Sequence, residues 1–187
     1  MVDINGNYTP DIALECLRKI EPYDIHWCEE PVPPTDMRGY AELRSRSPIP
    51  ICGSEALSTV HDFKRLIDAR GVDIVQPSLT ACGGFGQAKA IAQLAQMNNL
   101  RVSPSVWGNA VAISAALHFA ASLPVSPHSE NVPYPMLIEF DVGDNPLRDK
   151  ILKAPLKLEN GSLVVPTGVG LGIEIDEAAM KDYAVAI

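Results

Sequence analysis

The sequence predicts an α/β fold in which parallel strands alternate with helices, arranged as part of a TIM-like barrel. Two observations predict the alternation: short, almost continuously apolar runs recur at regular intervals, and the segments between them space apolar residues as helices do. A third observation favours a barrel over an open doubly wound sheet. A sheet that binds a dinucleotide would carry Gly-x-Gly-x-x-Gly after its first strand; the glycine-rich segment 83–86 does not fit that pattern, and no Walker A sequence occurs.

The elements follow in order from the N-terminus. The chain opens on the end of an apolar run, MVDI, and a helix follows for which Thr9 is the N-cap and Pro10 the first residue. Ile12, Cys16 and Ile20 recur every four residues and predict the apolar face of this helix. Strand and helix then alternate through DIHWC, DMRGYAELRSRS, IPICG, TVHDFKRLIDARG, VDIVQP, FGQAKAIAQLAQMNN, LRVSPSV and NAVAISAALHFAASLP. MLIEFDV is the sixth predicted strand, and Asn160-Gly161 predicts a hairpin near the C-terminus.

Composition excludes several classes of function. The 187 residues suffice for one domain or part of a larger one, and they carry a formal net charge of −8 without a basic stripe, so we expect no nucleic-acid partner. We expect no membrane partner either, because no apolar run is long enough to span a bilayer. The N-terminus lacks the pattern of a signal peptide, and the four cysteines lack Cys-x-x-Cys spacing. These features predict a cytoplasmic protein with reduced thiols.

Three acids, Asp3, Glu29 and Glu55, each stand at the predicted C-terminal end of a strand. Both intervals between them are 26 residues, about the length of a strand, a helix and two loops. We therefore expect them at equivalent places in three consecutive βα units. In a barrel, side chains at such places converge on the C-terminal mouth, where the active sites of barrels lie.

Converging carboxylates repel one another, and a divalent cation removes that conflict. Ligands that are all oxygen favour a hard ion, which predicts Mg²⁺ before Mn²⁺ or Ca²⁺. The competing interpretation is that strand-end acids cap the next helix or face solvent. Glu30 is expected to point away from Glu29, as a solvated acid or one that supports the site from behind.

Seven segments resemble the enolase superfamily, in its mandelate racemase and muconate lactonising enzyme branch. They are DINGNYTP, WCEEPVPP, IPICGSEAL, VDIVQPSLTACGG, SPSVWG, LIEFD and GVGLGIEID. The resemblance implies a modified (β/α)7β barrel beneath an α+β capping domain. It also implies an enzyme that uses Mg²⁺ to stabilise the enediolate formed when a base removes the proton next to a carboxylate.

The same resemblance assigns roles to individual residues. It makes Asp3, Glu29 and Glu55 the magnesium ligands. It makes Glu139 the acid that hydrogen-bonds the enediolate oxygen, and it places Asn5 next to substrate. The alternatives are a salt-bridged strand-end acid for Glu139 and a turn residue for Asn5.

The sequence departs from the family pattern at the bases. Ser105 stands where racemase-type members carry a histidine, and Ser78 where they carry the aspartate that orients it; the lysine of muconate-type members is absent too. We expect the two serines to bind substrate hydroxyls or to fill a neutral pocket, and Trp107 to line the pocket or pack under a loop. None of the four histidines replaces the base, although His128 lies in a loop that could reach the mouth.

Together these patterns predict that residues 1–187 form strands three to eight of such a barrel. The capping domain and the first strands, with the Lys-x-Lys base, have no counterpart in the sequence, and residues 151–187 are expected to form a hairpin and tail that pack toward the capping domain. The parent enzyme is expected to be a magnesium-dependent dehydratase or cycloisomerase whose small carboxylate substrate is a sugar acid. A racemase or epimerase is the second hypothesis, and a silent metal-binding or assembly half-protein is the third. Alone, the chain is expected to be inactive, and to form a homo-oligomer or bind an N-terminal half.

Overall fold

A computed structural model describes residues 1–124 and 136–185 of the chain. Within them, five strands form one parallel sheet in sequence order, and a helix follows each strand. The strands are β1 (Val2–Asp3), β2 (Cys28–Glu29), β3 (Ile51–Gly53), β4 (Ile74–Val75) and β5 (Arg101–Val102). The helices are α1 (Pro10–Ile20), α2 (Met37–Arg46), α3 (Val60–Asp68), α4 (Gly84–Met97) and α5 (Ala110–Ala121), with a 3₁₀ turn at Glu21–Tyr23. The predicted α/β fold with a parallel sheet is therefore confirmed.

The two faces of the sheet have different neighbours. Cys28, Ile51 and Val75 belong to a large core to which all five of these helices contribute. Residues one position away along the strands, among them Trp27 and Ile74, form a separate small cluster with Leu137. The helices thus pack on one face, which is how a sheet that curves into a barrel is covered, whereas a doubly wound sheet has helices on both.

Helix α1 confirms one prediction and corrects another. It begins at Pro10 with Thr9 as the N-cap, as predicted. Its buried face is formed by Ala13, Leu14 and Leu17, whereas Ile12 is exposed. The repeat predicted from Ile12 therefore lies at the border of the buried face: Ile20 packs against the core, whereas Ile12 does not.

The sixth predicted strand does not form within the described residues. Residues 136–142 run without strand pairing, and a side chain connects them to the sheet: the Ser103 hydroxyl donates to the Leu137 carbonyl over 3.1 Å. The run is apolar enough for a strand, but a strand also needs a neighbour that offers free backbone groups on the same line. Among the described residues, no strand pairs with this segment on either side.

The C-terminal part contains the predicted hairpin. β6 (Leu158–Glu159) and β7 (Ser162–Leu163) pair antiparallel, and Asn160 and Gly161 between them both have positive φ, as a two-residue hairpin turn requires. The short helices α6 (Pro146–Asp149) and α7 (Glu177–Asp182) flank this hairpin in the chain. Ile151 and Leu152 pack with Ala110, the first residue of α5. The C-terminal part is therefore in contact with the sheet and its helices through the N-terminal end of α5.

Two further observations concern expectations from composition. All four cysteines are free thiols, as predicted. In residues 1–124 and 136–185, the helices are too short or too polar to cross a bilayer. His128 lies outside the described residues.

Candidate metal centre

Three carboxylates meet on the C-terminal side of the sheet. Glu29 is the last residue of β2, Glu55 follows β3 by two residues, and Glu139 lies in the unpaired segment 136–142. One carboxylate oxygen from each lies within 4.8 Å of the other two. Oxygen ligands about 2.1 Å from a Mg²⁺ ion in octahedral geometry are about 3 to 4 Å apart. The three carboxylates are therefore close enough to form a candidate site for one cation.

Glu55 reaches this cluster by a turn and not by the register that the sequence predicted. Asp3 pairs with Glu29, but Glu29 pairs with Cys52, so Glu55 lies three residues beyond the equivalent place. The equal intervals in the sequence were therefore misleading for this unit. Ser54 adopts a φ of 101°, and its hydroxyl accepts a 3.0 Å hydrogen bond from the backbone N–H of Gln76, which turns the chain back toward the site.

Asp3 lies beside the cluster but is not one of the three grouped carboxylates. It pairs with Glu29 across β1 and β2, and it is exposed. Its Oδ1 accepts a 2.8 Å hydrogen bond from the backbone N–H of Asn5, which has a φ of 52° in a tight turn. The assignment of Asp3 as a metal ligand and of Asn5 as a substrate contact stays a prediction.

Glu29 is buried, with 6% of its surface exposed, and two neighbours that sequence reasoning missed surround it. The Trp27 indole N–H donates to Glu29 Oε2 over 3.3 Å, and the Gln76 amide lies close enough to lower the pKa of Glu29. Burial nevertheless dominates and raises the pKa of Glu29 to about 8, with the charges of Glu139 and Asp3 acting in the same direction. Trp27 could have been found from its place two residues before Glu29, on the same face of the strand.

Gln76 is completely buried just beyond β4, and in the described part of the chain neither of its side-chain polar atoms has a hydrogen-bond partner of normal geometry. An unpaired amide in such a place costs free energy. The sequence signal was a polar residue inside the apolar run VDIVQP. Glu29 and Gln76 each lie two residues after an apolar residue of the small cluster, Trp27 and Ile74 respectively. Polar side chains therefore follow apolar ones on this face of the sheet, toward the C-terminal ends of the strands.

Glu30 is buried and not solvated, which corrects one of its two predicted roles. Burial, with the charges of Glu55 and Asp3 acting in the same direction, raises the pKa of Glu30 to about 7. Among the described residues, neither its Oε1 nor the buried Tyr40 hydroxyl nearby has a hydrogen-bond partner. A role for Glu30 in supporting the site from behind stays a prediction.

Ser105 lies between two of the clustered acids. Its hydroxyl is 2.5 Å from Glu55 Oε2 and 3.2 Å from Glu139 Oε2. The backbone N–H of Val106 also donates to Glu139 Oε2, over 2.7 Å. Burial raises the pKa of Glu139 despite these two hydrogen bonds, which act in the opposite direction.

Ser78 and Trp107 occupy different surroundings from Ser105. Ser78 is opposite Ser105 in an isolated parallel bridge, yet its hydroxyl pairs with Thr80 over 3.0 Å. Trp107 is 73% exposed, so it does not pack beneath a loop of the described residues. Both remain predicted substrate contacts, since their polar or aromatic groups are not buried in the protein.

A parallel α/β sheet that packs its helices on one face and gathers acids beyond the C-terminal ends of its strands is typical of barrel enzyme domains, whose active sites lie at that end. The comparison with known proteins is more specific. Residues 1–179 match the family described as Enolase C-terminal domain-like, and the chain belongs to that family. The predicted resemblance is therefore confirmed.

Individual relatives give the chemical context. The D-galactarolactone cycloisomerase of Agrobacterium fabrum is 39% identical over 98% of this chain and 48% of its own length. The arabinonate dehydratase of Saccharolobus solfataricus is 33% identical over 97% of this chain and 46% of its own length. The crystal structure of the 3,6-anhydro-D-galactonate cycloisomerase of Zobellia galactanivorans superimposes with a TM-score of 0.88 at 43% identity, over 98% of this chain and 49% of that one. The chain thus spans about half the length of these relatives.

Proposed function

We propose that this chain carries the metal-binding part of a magnesium-dependent enzyme that removes the proton next to the carboxylate of a sugar acid, as a cycloisomerase or a dehydratase. The observation that carries this proposal is the group of three carboxylate oxygens within 4.8 Å in Glu29, Glu55 and Glu139. Similarity to two cycloisomerases and a dehydratase supports the substrate class. The parallel sheet supplies the fixed frame on which such a site is built.

In this proposal, the acidic residues of the site have two different roles. Glu29 and Glu55, with Asp3 beside them, would hold a Mg²⁺ ion, which when bound offsets the negative charge that grows on the substrate carboxylate. Burial favours the protonated form of the Glu139 carboxyl, because it raises the pKa of that group. A protonated Glu139 could donate a hydrogen bond to the substrate oxygen on which charge develops.

The proposed enzyme differs from a racemase because proton transfer occurs on one face of the substrate only. Inversion needs one base to remove the proton and a second to return it on the other face. Ser105 stands where a second base would stand, but its hydroxyl is bonded to Glu55 and cannot act as a base near neutral pH. We propose that the single base is a lysine of a Lys-x-Lys segment, which the 187 residues do not contain.

The proposal is tested with the complete enzyme of which this chain is proposed to be the metal-binding part. The enzyme is incubated in D₂O with Mg²⁺ and a panel of aldonic acids, aldarolactones and anhydro-aldonic acids. We expect ring opening or loss of water with one deuterium taken up, dependence on Mg²⁺, and abolition by EDTA. Glu29→Gln should abolish turnover, whereas Glu159→Gln, on the exposed hairpin, should not. Rapid deuterium uptake with inversion of a 2-hydroxy acid would contradict the proposal and favour a racemase.

A further inference from the structure

Ser105 occupies the centre of the acidic cluster although it is uncharged. It follows β5 by three residues, and only 3% of its surface is exposed. Its hydroxyl oxygen is in hydrogen-bonding distance of Glu55, which follows β3, and of Glu139, in segment 136–142. One small side chain therefore contacts acids from two parts of the chain that share no strand pairing among the described residues.

The hydrogen-bonding capacity of a hydroxyl limits what else Ser105 can do. A serine hydroxyl has one proton to donate. The shorter contact, at 2.5 Å to Glu55 Oε2, is the place for that proton, and 2.5 to 2.7 Å is the usual length of an O–H donor to a carboxylate. Once its proton is donated to Glu55, Ser105 has none left to donate to a substrate, and its burial leaves little of the hydroxyl accessible as an acceptor.

The neighbouring serine shows that this arrangement is specific to position 105. Ser78 lies opposite Ser105 in the bridge between their strands, but its hydroxyl contacts Thr80 and neither acid. The two serines, which by resemblance stand where racemase-type members carry a histidine and its orienting aspartate, therefore do not contact each other's partners. Glu139 lies in segment 136–142, which is held by side-chain contacts and, among the described residues, by no strand pairing. Its position therefore depends on contacts such as the one with Ser105.

We infer that Ser105 is a positioning residue that orients Glu55 through its hydrogen bond and contacts Glu139, and not a substrate-binding residue. The inference rests on the proposed function in one respect, namely that the cluster holds a divalent cation. Partners that orient metal-binding carboxylates commonly change metal affinity ten- to a hundredfold when they are removed. Ser105 then sets the shape of the site that the metal enters.

The test measures Mn²⁺ binding to the intact protein by electron paramagnetic resonance, with no substrate present. Ser105→Ala should raise the dissociation constant ten- to a hundredfold and alter the spectrum of bound Mn²⁺. Ser105→Thr keeps the hydroxyl and should restore most of the affinity. The matched control is Ser114→Ala, which removes a buried hydroxyl that bonds only to the Ala110 carbonyl within α5. Ser114→Ala should bind Mn²⁺ as the parent does.

Two results would overturn the inference: parental affinity and spectrum in Ser105→Ala, or a Thr variant as weak as the Ala variant, which would assign the effect to packing. If the parent itself binds no Mn²⁺, the proposed function fails, and a metal-free measurement decides the role of Ser105. A double-mutant cycle of Ser105→Ala and Glu55→Gln in EDTA should give unfolding equilibrium constants that depart from additivity by about tenfold. Additive effects would show that Ser105 and Glu55 are not linked.

Discussion

Substituting Glu29 by glutamine should stabilise the metal-free protein at alkaline pH while it removes metal binding. Glu29 is buried, and burial raises its pKa from 4.5 to about 8. A carboxyl whose pKa is raised in the folded state binds its proton more tightly there than in the unfolded chain. Its contribution to stability is therefore complete below about pH 4.5 and is lost as the pH rises through about 8.

The magnitude follows from the size of the pKa change. Each pKa unit corresponds to about 1.4 kcal/mol, so the change at Glu29 corresponds to an upper limit on the order of 5 kcal/mol at pH values above 8. Glutamine has nearly the same shape and no charge to bury, and its amide oxygen can still accept from the Trp27 indole N–H. The variant should gain a large part of that free energy, and Glu30 and Glu139 should retain the remaining pH dependence.

The assay is urea unfolding in EDTA from pH 4 to 9, with the parent, Glu29→Gln and Glu159→Gln compared. The parent should lose stability between pH 4.5 and 8, and Glu29→Gln should lose much less. Glu159→Gln lies on an exposed strand and should follow the parent. If the free energy of unfolding varied with pH in the same way for the parent and for Glu29→Gln, the claim that burial raises the pKa of Glu29 would be refuted.

Three other predictions concern the frame of the site. Gly53→Ala should cost about 1–3 kcal/mol of unfolding free energy, because the added Cβ would lie 3.0 Å from the Tyr40 hydroxyl, whereas Gly86→Ala, with nothing within 4 Å, should be neutral or stabilising. Arg148→Met should speed amide exchange in segment 136–142 and its neighbours, because Arg148 donates to the carbonyls of Asp141 and Gly143; unchanged exchange would contradict this. Light scattering should show that the chain alone self-associates, since β1 and β5 each lack a partner on one side among the described residues; a monodisperse monomer would contradict this.

The sequence predicts the alternating fold well because each element is specified locally. Apolar runs such as Ile51–Cys52 and Ile74–Val75 are read directly as buried strands, Pro10 starts a helix, and Asn160-Gly161 closes a hairpin. The resemblance to a family predicts the fold of residues 1–179 together, because the family's motifs recur along the chain in order. These features need no knowledge of distant contacts.

The features that the sequence did not predict depend on contacts between distant residues. Spacing alone made Glu55 equivalent to Glu29, but the turn at Ser54 moves it three residues beyond the paired position. Segment 136–142 has the apolar pattern of a strand, yet pairing depends on a neighbouring strand. The bond between Ser105 and Glu55 joins residues 50 apart in the chain, and no local pattern records it.

Titration calorimetry with Mg²⁺ tests the central claim most directly, since the claim is that Glu29 and Glu55 hold one Mg²⁺ ion and that Glu139 lies beside it. The parent protein should bind one Mg²⁺ per chain. Glu29→Gln and Glu55→Gln should lose binding, Glu139→Gln should weaken it, and the exposed control Glu159→Gln should bind as the parent does. Parental Mg²⁺ binding in both Glu29→Gln and Glu55→Gln would contradict the account and place any metal elsewhere.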